Sequence, residues 1–204
     1  MALTDPFATR TELKARLGIT DTNDDTPLDN ALAAATNSII GYCGRNFNKN
    51  GSAIARPYYT RDACLAIVDD ISTTTGLVVQ TDDGDDGTYE TTWTITTDFT
   101  LEPLGGVRAG EPGWPYWKIR ITGNRYFPTW GYRPNLQVTA DFGWPAVPSA
   151  VKEACLGLAE ENFKMKDAPF GVAGFSDFGA VRVRENPKVA ALLQRYMRTA
   201  VLMY

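Results

Sequence analysis

The sequence predicts an α+β fold, with about four helices shared between the two ends of the chain and a β-rich insertion between them. Apolar residues recur at helical spacing up to about Gly44 and again after Pro145. Between about Arg56 and Phe142 they alternate with a period of two, in a stretch rich in Thr, Val, Ile, Tyr and Trp. The order is helices, strands, helices, not alternating βαβ units. Three segments follow: 1–55 with the N-terminal helices, 56–143 as the β-rich insertion, and 144–204 with the C-terminal helices and a Gly/Phe-rich loop at 170–184.

The first helix is expected to begin at a capping box formed by Thr9 and Glu12 and to stop at Gly18, with Leu13 and Leu17 on one face. A polar loop, Asp21–Asp25, leads to a second helix with Thr26 as N-cap and Pro27 at the first helical position. Leu28, Leu32, Ala35, Ile39, Tyr42 and Cys43 form its buried stripe. Seven strands are expected: Tyr58–Arg61, Leu65–Val68, Leu77–Gln80, Tyr89–Ile95, Phe99–Glu102, Lys118–Thr122 and Leu136–Asp141. Asp82–Gly87 reads as a hairpin turn and Gly105–Pro115 as a surface loop. The third helix follows Pro145–Pro148, with Ser149 or Val147 near its N-cap and Val151, Ala154, Cys155, Leu158 and Phe163 facing inward. The fourth opens with Asn186 as N-cap and Pro187 at the first helical position, and its pattern extends nearly to Tyr204.

Bulk properties narrow the function. The 204 residues carry 20 lysines and arginines against 24 acidic residues, a net charge of −4, so a basic nucleic-acid face requires segregation of the cations. Cys43, Cys64 and Cys155 are odd in number, lack CxxC spacing and lie in apolar contexts, which reads as buried reduced thiols. No signal-peptide pattern opens the chain and no apolar run is long enough to span a bilayer.

Chemistry is sparse. The chain contains no histidine, which removes the commonest general base and the usual triads. Asp69 with Asp70 and Glu160 with Glu161 are adjacent pairs that cannot face each other across a site, so solvated charge is expected. The Asp82–Gly87 run fails the EF-hand pattern, with Gly84 and Trp93 at ligand positions, and no phosphate-binding loop is present. Neither a catalytic residue, a cofactor nor a metal is called for. Trp114, Trp117, Trp130 and Trp144 suit core packing and partner contact better than an aromatic platform for sugar or single-stranded nucleic acid. Arg182, Arg184, Lys188, Arg195 and Arg198 form the one basic cluster, interleaved with Tyr196, Met197, Met203 and Tyr204, residue types common at protein interfaces.

The pattern TRTELKARLGI, a DD-containing loop and LDNALAAATNSIIGYCGRNF resembles the opening of phage head–tail connector (adaptor) proteins. VTADFGWPAVPSAVKEACLGLAEENFKMKDAPFGVAGFSDFGAVRV is similar to their closing half, especially in phages of actinobacteria. The resemblance covers about Thr9–Phe47 and Val138–Tyr196, and the middle matches only in being β-rich. The shortest adaptors lack so large an insertion.

The resemblance implies a non-enzymatic virion protein of the neck, assembled in the host cytoplasm. It would form a ring, commonly a dodecamer, that joins the portal to a stopper or tail protein and lets genomic DNA pass without specific binding or membrane contact. Carried onto this chain, Gln194–Tyr204 would meet the portal through Gln194, Arg195, Tyr196, Arg198, Met203 and Tyr204. Its deletion is expected to spare the fold. Phe170, Phe175 and Phe178, with Arg182 and Arg184, would belong to an inter-subunit or lumen loop. The alternatives are another neck or tail protein, a stopper or tail terminator, and a carbohydrate-binding β module that would need exposed, coplanar tryptophans. A carboxylate glycosidase is the remaining catalytic reading.

Overall fold

A computed structural model describes residues 5–165 and 186–198. The chain divides into two compact units, Met1–Phe47 with Val147–Tyr204, and Asn48–Ala146. The fold is α+β, with helices at both ends of the chain and two antiparallel sheets in the middle.

The first unit is helical, built from α1 (Arg10–Leu17), α2 (Asp25–Cys43), α3 (Ser149–Lys164) and α4 (Pro187–Leu193). The capping box forms: the Thr9 hydroxyl accepts from the Glu12 N–H while the Glu12 carboxylate accepts from the Thr9 N–H at 2.8 Å. Gly18 ends α1 in the left-handed conformation at φ 72°. The sequence placed the N-cap of α2 at Thr26. The structure puts it at Asp24, two residues earlier, with the first helical bond from the Leu28 N–H to the Asp24 carbonyl. Pro27 is thus the third helical residue, still among the positions whose N–H would have no acceptor, so the shift costs no hydrogen bond.

Helices α2 and α3 pack along their lengths. Ala31, Ala35, Ala154 and Ala159 are buried beside Leu28, Leu32, Ile39, Val151, Leu158 and Phe163. Small residues on both helices let the backbones approach while leucines fill the gaps, each large side chain contributing about 1.5–3 kcal/mol. Thr36 is the buried polar exception, and its hydroxyl accepts from the Phe7 N–H at 3.2 Å. Ion pairs link the helices at the surface. Arg16 on α1 meets Glu153 and Glu160 on α3 at 2.6 and 2.7 Å, and Glu12 meets Lys152 at 2.9 Å. No helix of the described residues is long and apolar enough to cross a membrane.

The second unit holds seven strands: β1 (Ile54–Tyr58), β2 (Leu65–Ile71), β3 (Val78–Thr81), β4 (Thr91–Trp93), β5 (Phe99–Glu102), β6 (Tyr116–Ile121) and β7 (Leu136–Ala140). One sheet has the order β1-β7-β3-β4 and the other β2-β6-β5, every pair antiparallel. Their inward residues form one core, with Val79, Trp93, Leu136 and Val138 from the first sheet and Ala66, Val68, Leu101 and Ile119 from the second. The alternation is plain in β7, where Leu136, Val138 and Ala140 are buried and Gln137 and Thr139 are not.

Six expected strands overlap observed ones closely, but the first is displaced. It was expected at Tyr58–Arg61 and runs Ile54–Tyr58, paired with β7 from Ile54↔Ala140 to Tyr58↔Leu136. Pro57 argues against a central strand, and β1 is an edge strand, where proline is tolerated. Residues 59–61 instead leave the sheet because the Thr60 N–H donates to Asn135 Oδ1 rather than to a ladder.

Three further expectations change. Cys43 and Cys155 are buried thiols, but Cys64 is exposed beside the start of β2. Asp70 is buried, not solvated, and accepts from the Trp144 indole at 3.2 Å. Helix α4 stops at Leu193, followed by a single 3-10 turn, Gln194–Tyr196, instead of running nearly to Tyr204.

Candidate partner-binding surfaces

In the helical unit, the C-terminal segment is anchored before it is exposed. Asn186 caps α4 by accepting from the Val189 N–H, and Pro187 occupies the first helical position. Val189 lies over Gly157 of α3, and Leu193 is fully buried. Tyr196 is 6% exposed, its ring meeting Phe47 edge-on at 5.9 Å, and Phe47 meets Phe7 in the same way at 5.5 Å. The Arg198 N–H donates to the Cys43 carbonyl at 2.8 Å, tying the chain to the C-terminal end of α2. Tyr196 is therefore a core residue of this unit, which corrects the expectation that the fold is indifferent to loss of Gln194–Tyr204.

Gln194, Arg195, Lys188 and Met197 are exposed on the same segment and Arg198 is half-buried. The Arg195 guanidinium lies 5.2 Å from the centre of the Tyr196 ring. The structure thus brings together four of the six residues assigned to portal contact. Met203, Tyr204, Phe170, Phe175, Phe178, Arg182 and Arg184 lie outside the described residues.

Titration behaviour in this unit follows packing. A hydrogen bond from the Lys152 ammonium, followed by the N–H and hydroxyl of Thr9, holds the Glu12 carboxyl down at about 2. Burial pushes the Cys43 thiol up to about 11 and raises that of Cys155, so both stay protonated and unreactive. Glu160 is lowered by Lys164 and Arg16, and Glu161 accepts from the Asn186 amide at 2.6 Å. These carboxylates are structural partners. A shallow groove of about 320 Å³ lies between α2 and α3, lined by Ala31, Ala34, Phe163 and Met165, with no converging charged groups.

In the β unit the candidate tryptophans separate. Trp114 and Trp144 are buried with ring centres 4.9 Å apart and planes inclined at 51°. Trp117 is half-buried and inclined at 62° to Trp114, with Arg108 over both rings. These rings are neither coplanar nor openly exposed, so they make no sugar platform. Trp130 is exposed on a separate loop.

The expected turn at Asp82–Gly87 is a loop organised around one carboxylate. Asp82 is buried and accepts N–H bonds from Gly84, Asp86 and Gly87. Carboxylate oxygens of Asp82, Asp86 and Glu90 lie within 4.8 Å of one another, a closeness that sequence spacing did not reveal. Those of Asp82 are already committed to the loop backbone. Asp69, the remaining carboxylate candidate, accepts from Arg56 at 2.7 Å and from the Tyr58 hydroxyl at 3.1 Å.

Sequence reasoning missed the loop cluster 59–63 and 124–135. Its exposed aromatic members are Tyr59, Tyr126, Trp130 and Tyr132. The signal was present as NRYFPTWGYR, but without a strand framework it did not separate from ordinary loop composition.

Comparison with known proteins gives two consistent matches. Residues 8–78 match the phage gp6-like head-tail connector protein family. Over the whole chain, the fold resembles a chain in the neck of an empty gene transfer agent (GTA) particle reconstructed with C6 symmetry, with TM-score 0.55, 20% identity and coverage of 100% of this chain and 96% of that one. A second is in the neck of a native GTA particle with C12 symmetry, with TM-score 0.54, 18% identity and coverage of 95% and 90%. No curated protein sequence matches. The matched family and folds are connector and neck components rather than enzymes. Because the first neck chain is covered almost end to end, the β unit belongs to the shared fold and is not an addition peculiar to this protein.

Proposed function

We propose that this chain, whose residues 8–78 match the phage gp6-like head-tail connector family and whose fold resembles chains of GTA necks, is a structural neck protein of a tailed-phage-type particle. The observation that carries the proposal is the agreement of the two matches. The family match spans both N-terminal helices and enters the β unit, and the fold match takes in the rest.

The finer proposal is an adaptor ring, twelve-fold in the virion, that joins the portal to a stopper or tail protein and lets DNA pass. The C12 symmetry of a similar neck supports the stoichiometry. The exposed Gln194 and Arg195, beside a Tyr196 locked into the helical core, support portal contact at the C-terminal end. A short exposed stretch on a rigid base loses little entropy on docking. Of the portal residues assigned from the resemblance, Tyr196 then acts as the anchor, with Gln194, Arg195 and Arg198 at the contact and Met203 and Tyr204 continuing it. Phe170, Phe175, Phe178, Arg182 and Arg184 are proposed for contact between neighbouring copies or with the lumen.

The outward face of the four-stranded sheet supports DNA passage in a limited way. Its registered rows, Ala55–Thr139–Val78 and Pro57–Gln137–Gln80–Thr92, carry no charge and offer phosphates no fixed contact. The test is binding to purified portal rings. The full chain is expected to co-sediment with the portal, and a chain carrying Gln194→Ala and Arg195→Ala, both at exposed positions, is expected to keep its thermal stability and lose most of that binding. Undiminished binding of the doubly substituted chain would remove the C-terminal contact from the proposal.

A further inference from the structure

We draw no further inference here: the strongest candidate, the apolar groove of about 320 Å³ between α2 and the C-terminal end of α3, beside the buried Asn162 amide, carries nothing because nothing among the described residues shows what covers it.

Discussion

Glu12 closes the N-terminal cap of α1 and also binds Lys152 of α3, so one carboxylate serves both a helix and its packing. Its folded pKa, about 2, lies below the ordinary value of 4.5. The stabilisation is fully present above the unfolded value and is lost as pH falls from about 4.5 through about 2. Thermal unfolding followed from pH 6 to pH 2 should show this loss, and Glu12→Gln should flatten it while lowering stability at neutral pH by about 1 kcal/mol. Gly143 is a second decisive residue. At φ 122° it occupies backbone space that L side chains avoid, and a Cβ there would run into the backbone of Asn48 and Lys49. Gly143→Ala should destabilise the β unit by at least about 2 kcal/mol in denaturant unfolding. The capping box was legible in the sequence because it is a local contact three residues apart. The roles of Gly143 and Asp70 were not, since both depend on chain neighbours far away in sequence.

At the level of elements, periodicity located the four α-helices of the described residues, and the strand pattern failed chiefly at β1. The alternation in β5 and β7 is strong because one face of each is buried in the sheet core. In β1 the edge position and Pro57 blur it. The end of α4 was misread because Tyr196 continues the apolar stripe of the helix while packing from a 3-10 turn. Tyr196→Ala should cost about 3–5 kcal/mol in thermal or denaturant unfolding. Arg195→Ala, one residue away and exposed, should stay within about 0.5 kcal/mol and weaken only portal binding. The three cysteines divide by element in the same manner. Cys64 should react rapidly with a thiol reagent in the native chain, and Cys43 and Cys155 only on unfolding, because burial keeps both protonated.

For the whole molecule, the helices–strands–helices order was legible as a change of hydrophobic period, and absent histidine already argued against most catalysis. That the β unit belongs to the shared neck fold was not legible. Its strands pair across long loops and leave no local motif for resemblance to follow. The hold of Thr60, Asp85 and Asn135 on the 124–135 loop was not legible either, since these bonds join residues far apart in sequence. The central proposal is that this chain is the neck subunit next to the portal. Electron microscopy of assembled particles at a resolution that traces side chains tests it most directly. The account predicts this chain in a ring of twelve copies immediately below the portal, with density for Arg195 at the portal contact. A neck in which that ring is built from a different protein would contradict it.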